Sequence, residues 1–344
     1  NSLGVALPWE QQERSLDCFE KGFELAKKIG AIRWVSSLGR ILAGLYTHMG
    51  STDKPVLLLA EESVALDRKT GNMSNLPFSL GTLGNVYVVL GEWDKSEQYF
   101  KEALDLSQRL HQLPQIATNS IQLGGLYGLN KGEYLKAREF LQKGIEICEK
   151  AGARYYTMLI SCSLIPVYIE LGNLQEASDL LDGVRNFALE KKDTFLIPRT
   201  EALRGMLLRA QKKWEESIEH FEKSLQEYES INARRWILYH FAKFFLGEYA
   251  RVYFERNQEG DREKALNLLD EALELFQKVR AKKEIERTMK LIEALHPPSA
   301  QIHEKAISSE SHENIEVQSN IVATPKELKI GESLELEIEI TNSH

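Results

Sequence analysis

The chain has 344 residues, of which 43% are hydrophobic and 27% charged, values typical of a folded, soluble protein. Its formal net charge of −8 argues against broad non-specific binding to nucleic acid or to an anionic membrane. No apolar run approaches the roughly 20 residues that cross a bilayer. The three scattered cysteines are too few for a disulfide framework or a metal cluster. We therefore expect a cytoplasmic protein that binds neither nucleic acid nor membrane.

One sequence frame recurs along most of the chain. It consists of a glycine, an aromatic residue two positions later, a small residue at +5 and Phe or Leu at +9, as in residues 91–104. The small position recurs at intervals of 40, 41, 41, 40, 40 and 48 residues. A nearly fixed period of this length predicts a stacked array of similar structural units. The small positions are Ser15, Pro55, Ser96, Ala137, Ala177, Ser217 and Ala265.

Each unit predicts two helices. An apolar stretch such as residues 78–91 precedes the frame, and the frame itself has the i, i+3, i+4, i+7 spacing of an amphipathic helix. The small residue lets a neighbouring helix approach closely, and the Phe or Leu one turn later fills the adjacent space. Glycine adopts a left-handed conformation without a Cβ clash, so it suits the end of the first helix. The glycines at this place are Gly50, Gly91, Gly132 and Gly172.

Residues 83–104 resemble a tetratricopeptide repeat, a helix-turn-helix unit. The residues that carry the match are Leu83, Gly84, Asn85, Tyr87, Gly91, Trp93, Ser96, Phe100, Ala103 and Leu104. With substitutions, the resemblance extends over residues 3–279. The period near 40, longer than the family's usual period of about 34 residues, resembles that of kinesin light chain and of MalT-like and Rap-like bacterial regulators. The resemblance implies an all-α fold, a right-handed superhelix of helix pairs whose first helices line a concave groove.

The composition divides the chain into three parts. We expect residues 1–295 to form the solenoid, with about six full repeats, an N-terminal half repeat and a C-terminal cap helix. Residues 296–320 are rich in Ser, Glu and His and predict a flexible linker. Residues 334–340 alternate apolar side chains with glutamates, which predicts a half-buried β-strand, and residues 321–344 resemble the truncated start of an immunoglobulin-like sandwich. Because the chain begins with Asn and breaks off after this strand, we expect further domains on either side.

No motif of a catalytic or cofactor site occurs in the sequence. It has no phosphate-binding loop, no dinucleotide fingerprint, no HExxH and no nucleophile elbow. None of the eight histidines is paired at metal-ligand spacing. We expect Cys18 to be a small core residue. Cys162 falls on the groove side, but without a nearby histidine a structural role is favoured. We therefore expect no enzymatic activity, no cofactor and no bound metal.

The resemblance also implies which side chains line the groove. Amide side chains there offer donors and acceptors to the backbone of an extended peptide, and arginines offer forked donors to carboxylates or phosphates. The alternative is a set of solvated polar residues without a dedicated ligand. The Lys and Asn clamp by which chaperone-type repeats hold a C-terminal carboxylate is not reproduced. The implied groove residues are Ser37, Arg40, His48, Asn85, Asn119, Gln122, Asn130, Glu170, Arg199 and Arg209.

A second candidate surface is the aromatic-dense first helix of the last repeat. Its aromatic residues occupy more faces than one neighbouring helix covers. They are either buried between the adjoining helices, or they form a docking surface for a partner domain, because aromatic residues are enriched at binding hot spots. The residues of this candidate surface are Trp236, Phe241, Phe244 and Phe245.

Two functions fit this sequence. The first is a non-catalytic scaffold that holds a protein or peptide segment in the concave groove of the superhelix. The alternative is a sensor or regulatory arm of a larger signalling protein, such as a nucleotide-switch ATPase or a transcription regulator, which binds a small ligand. Both hypotheses place the ligand on the inner wall of the solenoid.

Overall fold

The computed structural model describes residues 9–49, 54–230, 239 and 241–295. The chain divides after Leu295 into two units. The linker and the β-strand that the sequence predicts beyond Leu295 lie outside the described residues and stay predictions. Gly50 also lies outside the described residues.

In the described ranges, α-helices follow one another through short turns. The second helices, which carry the repeated frame, are α1 (Trp9–Lys28), α3 (Lys54–Thr70), α5 (Trp93–Arg109), α7 (Tyr134–Lys150), α9 (Leu174–Lys191), α11 (Trp214–Ser230) and α13 (Asp261–Lys278). The first helices are α2 (Ile32–His48), α4 (Leu76–Leu90), α6 (Leu113–Gly125), α8 (Arg154–Glu170), α10 (Leu196–Ala210), α12 (Gly247–Arg256) and α14 (Lys282–Leu295). Two π-helical segments extend first helices: π1 (Leu126–Asn130) follows α6, and π2 (Phe241–Leu246) precedes α12.

Each helix packs chiefly on its neighbours along the chain. Each first helix from α2 to α12 contacts the second helix that follows it, and first helices also contact one another, as α6 does with α8 and α8 with α10. Helix pairs that contact mainly adjacent pairs are the defining arrangement of a solenoid. The described residues therefore confirm the all-α, repeat-built fold that the sequence predicts.

The pairing of small and large residues holds the two helices of a unit together. A Cβ on Gly84 of α4 would lie 2.4 Å from the ring of Phe100 on α5, and Phe100 is fully buried. In the next unit, a Cβ on Gly124 of α6 would lie 2.6 Å from the side chain of Leu141 on α7. Backbone and side chain approach this closely only because a glycine faces the large residue. The structure thus confirms that the Phe or Leu of the repeated frame fills space between the helices, with a glycine of the first helix as the small residue that it faces.

Turn geometry ends the first helices where the sequence predicts. Gly91 ends α4 in the left-handed conformation, with φ of 80°, and its N–H donates to the Val88 carbonyl at 3.1 Å. Lys212, one period after Gly172, has φ of 61° although it is not a glycine. A residue with a Cβ pays a steric cost in this conformation, so the turn itself imposes the backbone geometry on this unit.

A buried carboxylate joins three consecutive helices. Glu201 of α10 is 1% exposed, and its carboxylate lies 2.7 Å from His220 Nδ1 and 3.1 Å from Lys223 Nζ, both on α11. Arg185 of α9 forms an ion pair with it at 2.6 Å. Burial alone raises the pKa of a carboxyl group, but the hydrogen bonds from His220 and Lys223 outweigh it and lower the pKa of Glu201 to about 2.

We expect the stability of the chain to depend on the charge of Glu201. A carboxyl group with a depressed pKa stabilises the fold above its unfolded pKa of about 4.3, and this contribution disappears as pH falls towards the folded value. Glu201→Gln should cost about 2 kcal/mol at pH 7 and should flatten the loss of stability between about pH 5 and pH 2. Thermal unfolding at a series of pH values measures both effects. Glu219→Gln, at an exposed position of α11, is the control. If both variants kept the pH profile of the wild type, the role of Glu201 would be refuted.

Candidate functional site

Three of the predicted groove residues leave their polar groups unused. Ser37 on α2, Asn85 on α4 and Gln122 on α6 are each partly exposed. Among the described residues, none of the three side chains makes a hydrogen bond. These first helices are neighbours, because α4 packs against both α2 and α6. Hydroxyl and amide groups therefore stand along adjacent first helices with unused donors and acceptors, although the Gln122 oxygen itself is buried.

Asn119, also predicted for the groove, is instead a packing residue. It is 2% exposed, and its amide nitrogen donates to Ser107 Oγ at 3.3 Å. A Cβ on Gly81 of α4 would lie 2.9 Å from the oxygen of Asn119 and 3.3 Å from that of Gln122. The missing side chain of Gly81 thus lets both amides of α6 approach α4, which buries Asn119 between helices.

Arg40, which the sequence predicts for the groove, lies beside the neighbouring first helix. It is partly exposed on α2, and its guanidinium carbon lies 5.0 Å from the ring centroid of Phe78 on α4. Burial lowers the pKa of Arg40 to about 10, despite the attraction of the Asp67 carboxylate, which opposes this shift. A guanidinium is therefore held against an aromatic face on the first helices.

The remaining predicted side chains of this part of the wall differ in their surroundings. Arg199 on α10 is partly exposed and donates to Ser163 Oγ on α8 at 3.2 Å. His48 is partly exposed at the end of α2, and burial lowers its pKa. Cys162 does not face the groove, because it is fully buried, and burial raises the pKa of its thiol. Its favoured structural role agrees with this position.

Arg209 and Glu170 belong to a buried ionic cluster. Arg209 is 4% exposed and lies 3.2 Å from Glu170, 2.7 Å from Glu255 and 3.6 Å from Glu248. Arg251 forms ion pairs at 2.6 Å with Glu170 and at 2.7 Å with Glu255. We call these five residues the Arg209 cluster. Most of its charged groups engage one another, although Arg209 Nε and one Glu248 oxygen have no hydrogen-bond partner, so Arg209 and Glu170 join helices here instead of facing the predicted groove.

Sequence reasoning missed three members of the Arg209 cluster, which all lie on α12. Their spacing of three and four residues places Glu248, Arg251 and Glu255 on one helical face, a pattern that local analysis does detect. The local pattern carries no indication that this face meets α8 and α10. Burial raises the pKa of Glu248, although both arginines oppose that shift.

Asn130 is also taken up within the solenoid rather than by the groove. It is 4% exposed, and its side-chain amide lies 3.2 Å from the Tyr239 hydroxyl. Its backbone carbonyl accepts a hydrogen bond from Arg287 of the terminal helix α14 at 2.8 Å. Glu284, also on α14, accepts from Lys243 of π2 at 2.6 Å. The groove role predicted for Asn130 is therefore wrong, because α14 and the last repeat cover it.

The terminal helix also reaches an earlier repeat. Lys283 Nζ lies 4.0 Å and the Arg287 guanidinium 4.7 Å from a ring centroid of Trp93, the first residue of α5. Cations stacked on an aromatic face attract its quadrupole. The helix predicted only as a cap for the last repeat thus also joins distant repeats.

In the predicted aromatic docking surface, the side chains that the structure describes are buried. Phe241 and Phe245 are each 2% exposed and stack on one another at 5.0 Å, and Phe245 packs on Phe221 at 5.7 Å. The docking interpretation is wrong for these two residues, and the burial interpretation is correct. Trp236 and the side chain of Phe244 lie outside the described residues. Cys18 is exposed, so the expectation that it is a small core residue is wrong.

In the described ranges, no group of three or more His, Cys, Asp or Glu side chains is placed to hold a metal ion. In the same ranges, no helix combines the length and the apolar character needed to cross a membrane.

Comparison with known proteins supports the repeat interpretation. Residues 77–150 match the family model of the tetratricopeptide repeat. The apo form of RapI is similar with a TM-score of 0.59 and 15% identity, covering 81% of this chain and 96% of that chain. A Rap protein complexed with Competence and Sporulation Factor has a TM-score of 0.51 and 13% identity, covering 85% and 86%. No curated protein matches the sequence significantly. Residues 77–150 are thus similar to the tetratricopeptide repeat, and the solenoid is similar in fold to the Rap proteins.

Proposed function

We propose that the chain is a non-catalytic scaffold that binds an extended protein or peptide segment along its first helices. The observation that carries the proposal is that Asn85 and Gln122 are partly exposed on adjacent first helices and make no hydrogen bond in the described residues, with the Gln122 oxygen withdrawn from solvent and its amide N–H groups left as donors. An extended peptide presents backbone N–H and C=O groups, which side-chain amides pair with in either sense. Ser37 and Arg199 extend this polar wall, with the Arg199 guanidinium already oriented by Ser163.

A regulatory arm is the second function that we propose, and a specific feature favours it. The terminal helix α14 joins the last repeat to Asn130 and Trp93, so the spacing of repeats along the inner wall depends on contacts made far along the chain. A ligand that changes this spacing would change the α14 contacts. Hydrogen exchange of α14 with and without a bound peptide separates the two functions, since a passive scaffold leaves its exchange unchanged.

Removing both amides should abolish most of the peptide affinity. Each hydrogen bond contributes about 1 kcal/mol, so Asn85→Ala with Gln122→Ala should weaken binding by about 2 kcal/mol, or roughly 30-fold in Kd. The probes are dodecapeptides selected from a random display library against the full chain. Fluorescence anisotropy with the wild type and with the double variant measures the change.

The matched control carries the same chemical change on second helices. Gln98 on α5 and Gln226 on α11 are exposed amides, and their replacement by alanine should leave Kd unchanged. If the control lost affinity as much as the groove variant, the peptides would bind elsewhere. If the variant lacking the Asn85 and Gln122 amides kept full affinity while circular dichroism showed an intact fold, these two amides would have no role in peptide binding.

A further inference from the structure

Arg40 is a partly buried guanidinium that forms no ion pair with any carboxylate of the described residues. Its Nε is inaccessible to solvent and has no hydrogen-bond partner. Across the described residues, its guanidinium takes part in no ion pair and no hydrogen bond. Arg209 and Arg251, in contrast, each bind glutamates at 2.6–3.2 Å. A cation withdrawn from water is costly to leave unpaired, so the position of Arg40 requires an explanation other than a structural ion pair.

The nearby carboxylate of Asp67 does not supply the missing contact. Asp67 is fully buried, and its two oxygens are occupied by neutral donors from α2, from α4 and from the turn that precedes α4. These donors are Ser36 Oγ at 2.6 Å, Asn72 Nδ2 at 3.0 Å, Asn75 Nδ2 at 2.7 Å and Ser79 Oγ at 2.7 Å. Four hydrogen bonds satisfy this carboxylate. The positive charge of Arg40 is attracted by Asp67 but makes no hydrogen bond to it.

The surroundings of Arg40 suit a planar anion. The guanidinium carbon of Arg40 lies 5.0 Å from the ring centroid of Phe78, and because Nε is inaccessible to solvent, the two terminal nitrogens form the edge that remains for a partner with two oxygens. Ser37 precedes Arg40 by three residues, so both stand on the same side of α2. The Ser37 side chain is partly exposed and makes no hydrogen bond in the described ranges. One forked cation and one hydroxyl donor are therefore placed together.

We propose that Arg40, backed by Phe78 and joined by Ser37, binds an oxyanion of the groove ligand, either a carboxylate or a phosphate. This inference rests on the proposed function, because it specifies that the bound segment is acidic or phosphorylated at the position beside α2. Arg40 pairs with two oxygens of the anion, and the Ser37 hydroxyl donates to one of them. The pairing supplies the counter-charge that Asp67 does not provide.

The test uses small anions, so that it does not depend on any peptide. Glutarate and inorganic phosphate are titrated into the full chain at constant ionic strength, and the thermal midpoint and the ¹⁵N–¹H resonance of Arg40 Nε are followed. We expect a saturable rise of the midpoint and a saturable shift of this resonance with at least one of them. The anion that binds with the lower Kd identifies the ligand group as carboxylate or phosphate.

Variants at Arg40 decide the assignment. Arg40→Gln should abolish the saturable response, and Arg40→Lys, which keeps the charge but not the fork, should weaken it at least tenfold. Arg33→Gln, at an exposed position of the same helix, should respond as the wild type does. The proposal is overturned if both Arg40 variants respond like the wild type, or if neither anion acts beyond sodium chloride.

The same anions separate this inference from the proposed function. The variant that lacks the Asn85 and Gln122 amides should still bind the small anion, although it loses the selected peptides. If the selected peptides bound the wild type and Arg40→Gln with equal affinity, and neither anion bound the chain, the role of Arg40 would be refuted. The proposed scaffold function would not be affected by that result. Anion binding without any peptide binding would refute the scaffold alone.

Discussion

Replacing Arg209 by alanine is expected to lower the free energy of unfolding by about 3–5 kcal/mol, the usual cost of removing one partner from a buried ion pair. Three glutamates of α8 and α12 converge on Arg209 and Arg251, and Arg209 is 4% exposed. Without Arg209, a single guanidinium must compensate three carboxylates with little access to water. Denaturant unfolding followed by circular dichroism measures the loss, and hydrogen exchange of α8 and α10 locates it.

An exposed ion pair provides the control for Arg209. Arg109 pairs with Asp105 at 2.9 Å on α5, with 73% of its side chain exposed, and Arg109→Ala should cost less than about 1 kcal/mol. Adding Glu255→Gln to Arg209→Ala should restore part of the stability, because one uncompensated carboxylate is removed. A loss no larger than that of Arg109→Ala would show that the Arg209 cluster does not hold the first helices together.

Replacing Phe100 by alanine is expected to cost about 3–5 kcal/mol, because a fully buried ring leaves a cavity that its neighbours fill only in part. Phe100 is 0% exposed and lies against the backbone of Gly84. The solenoid distributes its stability over contacts between adjacent units, so the loss should be concentrated in α4 to α6. Hydrogen exchange resolved by peptide, together with denaturant unfolding, measures both its size and its place.

Phe254 and Gly84 provide the controls for Phe100. Phe254 is 55% exposed on α12, and Phe254→Ala should change stability by less than about 0.5 kcal/mol. Gly84→Ala alone should cost about 1–3 kcal/mol, because the new Cβ would meet the Phe100 ring. In the double variant, the Cβ enters space that the ring has vacated, so the two costs should sum to more than the measured loss. Strict additivity would show that these residues do not pack as a pair.

Much of the repeat architecture could be predicted from the sequence, because it depends on contacts between residues of adjacent helices. Gly84 and Phe100 are 16 residues apart, and the same pairing recurs one period later at Gly124 and Leu141. A left-handed turn such as that at Gly91 needs only local steric information. Interactions at short and repeated separations produce a periodic pattern in the sequence, and the fold is predicted from this pattern.

The predicted inner wall divides into two parts for a related reason. Ser37, Asn85 and Gln122 stand partly exposed in neighbouring first helices, where the repeat frame alone decides which way a side chain faces. Asn130, Glu170 and Arg209 occupy comparable positions near the ends of first helices, yet they are engaged by other parts of the chain.

The sequence by itself determined the helix pairs, their period and the small and large residues that join them. Only the tertiary structure decided which polar side chains remain available, because α12 and α14 approach residues far earlier in the chain. Glu170 and Arg251 are 81 residues apart, and Asn130 and Arg287 are 157 apart. No local pattern encodes such separations, since the path of the superhelix accumulates from small rotations at every helix contact.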